Sequence, residues 1–111
     1  MIIPTKITVL KPDGTRTEQT LDLPKNPSLE KLHELVDPHL GTAMFEHVSV
    51  LYEDKPCDMF VDEMGHQKGL PRNEEGTKIY RTYWLKHHKV DPESMSWIAG
   101  IVVLFHRRVW F

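Results

Sequence analysis

Along Lys6–Leu10 polar and apolar residues alternate, with Ile7 and Val9 on one face. Thr15–Leu23 resumes an extended pattern, with Thr17, Gln19, Leu21 and Leu23 on one face. Between the two, Pro12-Asp13-Gly14 supplies turn chemistry: proline fixes φ and glycine admits a positive one. Together they predict a β-hairpin. Asn26-Pro27-Ser28 then punctuates the chain, and Ser28 is suited to cap a helix starting at Leu29. Leu29, Leu32, Leu35 and Val36 recur at helical spacing while Glu30, Lys31 and Glu34 face outward, and Asp37-Pro38 is expected to end or distort that helix.

The second half repeats this grammar. His47–Tyr52 alternates, Asp54-Lys55-Pro56 marks a turn, and Cys57–Val61 places Cys57, Met59 and Val61 on one face, so a second hairpin is expected. Residues 63–71 read as a loop. Asn73 is placed to cap a second helix running to about Leu85 with Ile79, Tyr80, Tyr83 and Trp84 on it. Gly76 should weaken that helix by about 1 kcal/mol relative to alanine. His87–Ser96 is polar, contains Asp91-Pro92 and reads as a connection, and Ile98–Phe105 is a short β-branched run suited to a strand buried on both faces. The order β-β-α-β-β-α-β predicts one α+β domain over residues 1–111, a small mixed sheet with two helices, β-grasp-like or related. Strand order does not follow from the pattern.

Composition narrows the function classes. The chain has 111 residues, 14 Lys plus Arg against 16 Asp plus Glu, and a formal net charge of −2, which lacks the strongly basic footprint of a general nucleic-acid binder. The single cysteine, Cys57, permits no intrachain disulfide and no multi-cysteine metal site, and suits a reducing compartment. The first residues, Met-Ile-Ile-Pro-Thr-Lys, do not have the form of a signal peptide. The longest apolar run, Trp97–Phe105, is far short of the roughly 20 residues a membrane span needs. A cytoplasmic protein without membrane contact is the expectation.

Asp58-Met59-Phe60-Val61-Asp62-Glu63-Met64-Gly65, followed by Lys68-Gly69-Leu70-Pro71-Arg72-Asn73 and then by Ile98-Ala99-Gly100-Ile101-Val102-Val103, forms a recognisable series. Over roughly residues 45–105 it resembles the uncharacterised domain of unknown function 3846 family of phages, plasmids and other mobile elements. In that family an acidic strand end leads to a leucine-proline-x-asparagine turn, a short helix and an isoleucine-x-glycine strand. The chain departs from the family at Gly76, where alanine is usual, and in the stretch from Tyr83-Trp84 to Ser96. The resemblance implies no activity and no catalytic residues. It implies a phage-type accessory protein that binds a host or defence protein.

Three constellations could carry chemistry. Asp58, Asp62, Glu63 and His66 would suit Mg²⁺ or Mn²⁺, or acid–base work, if they converged. The simpler reading is a solvated strand end and turn whose carboxylates keep an edge soluble. Arg81, Lys86, His87-His88 and Lys89 form one basic patch and Arg107-Arg108 another; with Tyr80, Tyr83 and Trp84 these could contact phosphates and stack bases. The simpler reading puts Tyr80 and Trp84, four apart, in the core. His33 and His39 lack the i, i+4 spacing of a zinc protease, and His47 and His106 read as surface residues at strand ends. Cys57 reads as a buried small hydrophobe. No phosphate-cradling glycine loop and no nucleophile–base pair is legible.

The expectation is therefore a non-enzymatic protein-binding module with no cofactor and no metal. A nucleic-acid-associated protein using the two basic patches is the second reading, and a metal-dependent enzyme built on Asp58, Asp62 and His66 the third. The partner-binding residues expected are Arg107, Arg108, Trp110 and Phe111, because Val109-Trp110-Phe111 resumes an apolar run where chains are usually polar and loose. They are expected to dock on another protein or on a second copy of the chain, with the arginines at the rim.

Overall fold

The computed structural model describes residues 1–87 and 96–111. Apart from its ends, the polar connection expected over His87–Ser96 lies outside the described residues, as do His88 and Lys89 of the first basic patch. The described elements are β1 (Ile2–Leu10), β2 (Arg16–Pro24), α1 (Leu29–Leu40), β3 (Phe45–Tyr52), β4 (Lys55–Asp62), α2 (Glu74–His87) and β5 (Val102–Phe105). This is the α+β class in the order read from the sequence. The strands form one sheet in the order β2-β1-β5-β4-β3, and every pairing is antiparallel rather than mixed. The antiparallel entry of β5 follows from where the chain returns. Asn73 N–H donates to the Ile98 carbonyl and Gly100 N–H to the Pro71 carbonyl, both at 2.8 Å. The chain thus re-enters the sheet at the end where β4 left it.

A helix covers each face. On one side Leu32 and Val36 of α1 pack with Ile7, Val9, Leu23, Phe60, Val103 and Phe105. On the other, Ile79 of α2 packs with Leu10, Val50, Cys57, Met59, Val61, Val102 and Leu104. Because side chains alternate along a strand, β5 sends Val103 and Phe105 to α1 and Val102 and Leu104 to α2. All four are buried, which is why the segment reads as an unbroken apolar run. Ile7, Val9, Leu32, Val50 and Val103 are buried, while Leu35 and Ile101 are only partly so.

One strand boundary is corrected, and two local readings are sharpened. β5 begins at Val102, not at Ile98. Ala99 instead bridges Arg72, and Gly100 turns the chain at φ +87° with its missing Cβ site 2.8 Å from Leu70 Cδ1. Pro38 does not end α1. It lies exposed in the last turn, where it removes a single intrahelical hydrogen bond, and the helix continues to Leu40 before Gly41 N–H donates to the Asp37 carbonyl at 2.8 Å. Gly76, which looked like a weak point, is a clearance: a Cβ there would stand 2.7 Å from Val102 Cγ2 in the packed centre.

Asn73 holds the same corner. Its Oδ1 accepts Gly76 N–H at 2.9 Å, capping α2, and its Nδ2 donates to the carbonyls of Leu10 and Gly100 at 3.0 Å each. Gly76→Ala is therefore expected to lower the melting temperature. Overpacking of about 1–3 kcal/mol exceeds the roughly 1 kcal/mol gained in helix propensity. Adding Val102→Ala should restore part of the loss. A stabilised single variant would show that α2 shifts freely over β5. Among the described residues, no helix is long and apolar enough to cross a membrane.

Candidate functional site

Alternation along β4 points Asp58 and Phe60 toward α1, so Asp58 enters the core opposite in register to Ser49, beside His47. The residue is fully buried, contrary to the expectation of a solvated carboxylate. Three donors and one cation make that position tenable. His47 Nε2–H donates to Oδ1 at 2.7 Å and the backbone N–H groups of Val109 and Trp110 donate to Oδ2 at 2.7 and 2.8 Å, while the Arg108 guanidinium forms an ion pair with Oδ1, Nε standing 3.0 Å away. Burial alone would push the Asp58 pKa up, but the bonds from His47, Trp110 and Val109 outweigh it and hold the carboxyl below its ordinary value.

Asp58 thereby ties down the last residues. Val109 is buried in the α1-side core, and Trp110 stacks on His47 with ring centroids 5.0 Å apart and planes 12° from parallel. Phe45 and Phe60 meet the same indole edge-on at 6.0 Å. Arg107 is tied in as well: its Nε donates to Thr5 Oγ1, Nη1 to the Lys25 and Arg108 carbonyls, and Nη2 to the Pro24 carbonyl, all at 2.9 Å. The four residues expected to meet a partner thus divide. Arg107 and Arg108 bind the molecule's own carbonyls and carboxylate, Trp110 packs inward, and Phe111 stays 73% exposed. Beside Phe111 lies a groove of about 220 Å³ formed with Pro27, Leu29, Leu32, Val109 and Trp110, and Leu29 on its rim is 55% exposed.

The rest of the acidic set does not join Asp58. Asp62 is also buried; its Oδ2 accepts from Lys68 Nζ at 2.7 Å and its Oδ1 from Met64 N–H at 2.8 Å. His66 Nε2–H donates to the Trp97 carbonyl at 2.8 Å, and Glu63 is exposed. Among the described residues, no three His, Cys, Asp or Glu side chains are grouped to hold a metal. In the first basic patch, Arg81 Nε donates to the Ser96 carbonyl and Lys86 pairs with Asp54 at 3.1 Å. Tyr80 is half-buried against the α2-side core, with Trp84 edge-on to it at 6.4 Å.

His47 and His106, expected at the surface, are half-buried. His106 Nε2 lies 2.6 Å from Thr8 Oγ1, and burial, with Lys6 nearby, holds its pKa below the ordinary value. Cys57 is buried, and burial pushes its thiol pKa up, away from nucleophilic character. Comparison of the chain with family models, curated proteins and solved structures returned no match.

Proposed function

We propose that the protein is a non-enzymatic binding module that receives an apolar side chain of a protein partner in the groove between the start of α1 and the tail. The observation that carries this reading is the exposure of Leu29 and Phe111 on either side of a groove whose floor, Val109 and Trp110, is hung on the buried Asp58. A pre-formed apolar recess with large side chains at its lip is the form in which interface energy concentrates. The nucleic-acid reading is weaker, because Arg107, Arg108, Arg81 and Lys86 all have partners within the molecule. Catalysis finds less support still, because Asp62 and His66 each hold a structural hydrogen bond and Asp58 is taken up by His47 and the tail amides. The resemblance of residues 45–105 to a phage- and plasmid-borne family would place the partner among host or defence proteins.

Affinity capture with the wild-type chain should retain a discrete protein that Phe111→Asp and Leu29→Asp each lose and Arg81→Ala keeps, with all variants folded by circular dichroism. Capture unaffected by both groove variants would overturn the reading. So would binding to DNA or RNA that weakens steeply with salt.

A further inference from the structure

We propose that β2 is a self-association edge, pairing antiparallel with β2 of a second copy to join two sheets into one. Among the described residues β2 is an outer strand paired with β1 alone, in an uninterrupted register from Ile2↔Pro24 to Leu10↔Arg16. α1 packs on β4 and β5 and α2 on β3, so each helix lies chiefly toward the other side of the sheet. Of the devices that blunt an edge, a bulge and an internal proline are absent between Arg16 and Leu23, and the charges the strand does carry, Arg16, Glu18 and Asp22, are of both signs.

Which backbone groups are open follows from hydrogen bonds at both ends of β1. Lys11 N–H donates to the Thr15 carbonyl, and the Lys6 carbonyl accepts from His106 on the opposite side. Bonding alternates along an antiparallel pair. The odd residues of β2 therefore bond inward to β1, and Arg16, Glu18, Thr20 and Asp22 turn their N–H and C=O groups outward.

A two-fold axis perpendicular to the sheet and passing beside Gln19 sets these open groups face to face, Arg16 opposite Asp22 and Glu18 opposite Thr20, each twice. Charge selects this register. A slip of one step either way sets Glu18 against Glu18 or against Asp22, which is repulsive. Asp22 has no ion-pair partner among the described residues, so this pairing supplies one. Arg16 bonds Glu18 at 3.1 Å and the Tyr52 hydroxyl at 2.7 Å, contacts that orient it on the face Asp22 shares.

The register makes a cross-linking forecast. Gln19 would face its own copy across the axis as a non-hydrogen-bonded pair, with Cα atoms about 4.5 Å apart, within disulfide reach. Sedimentation equilibrium should show a concentration-dependent dimer, and Gln19→Cys should convert it to a disulfide-linked one on mild oxidation. Glu46→Cys, on the opposite edge strand, should not cross-link. Thr20→Pro removes an outward N–H and should raise the dissociation midpoint about ten-fold or more with circular dichroism unchanged. Should that variant unfold, Asp22→Arg makes the same test without altering the backbone, and Arg16→Asp combined with Asp22→Arg should restore association. A monomer at the highest attainable concentration overturns the proposal, as does a dimer indifferent to Asp22→Arg. Association lost in Phe111→Asp but kept in Asp22→Arg would assign it to the tail groove instead.

Discussion

Asp58→Ala is expected to destabilise the protein by about 3–5 kcal/mol, because it removes the acceptor shared by three donors inside the fold and the counter-charge of Arg108. Two of those donors, the backbone N–H groups of Val109 and Trp110, sit where replacement bonds to water require the tail to lift. Urea titration at neutral pH should measure the loss. Since a domain of this size has only about 5–15 kcal/mol in total, the milder Asp58→Asn should be measured beside it.

The pH dependence has a definite sign. A carboxyl held below its unfolded value contributes stability that is fully present above that value, ordinarily 3.8, and is lost as pH falls through the lower folded value. The stability gap between wild type and Asp58→Asn should therefore be constant near neutrality and close in the acid range below 3.8. A gap that persists unchanged through that range would show that the negative charge is not what holds the tail.

Removing Val109–Phe111 is the second large effect. Val109 and Trp110 contribute about 1.5–3 kcal/mol each in proportion to their burial, less for the half-buried Trp110, and their loss also strips two donors from a buried carboxylate. A loss of several kcal/mol by thermal and urea unfolding is expected, whereas Phe111→Ala alone should stay within about 0.5 kcal/mol because Phe111 is exposed. The truncation and Asp58→Ala remove the same interaction from its two ends, so their effects should fall well short of additive. Full additivity would mean that tail and carboxylate act separately.

Local signals in the chain were enough for the elements themselves. Period-2 alternation around Pro12-Asp13-Gly14, the Ser28 cap with Leu32 and Val36 behind it, and the apolar run closing at Phe105 each report a neighbourhood of a few residues, and the structure honours them. The pairing of His47 with Asp58 was within reach. Once the β3–β4 hairpin is registered as His47↔Phe60 and Ser49↔Asp58, the two lie diagonally on one face.

Strand order and the role of Asp58 needed the tertiary structure. Both faces of β4 are buried, so parity could not say whether Asp58 met solvent or core, and the amides that satisfy it come from Val109 and Trp110, some fifty residues later. The same reason separates the two readings of Gly76. Helix propensity is a property of α2 alone, but the 2.7 Å approach of Val102 exists only once β5 has inserted between β1 and β4. Interactions that close over a few residues are written in local pattern. Those that depend on which distant strand lies alongside are set by packing the whole chain around two cores.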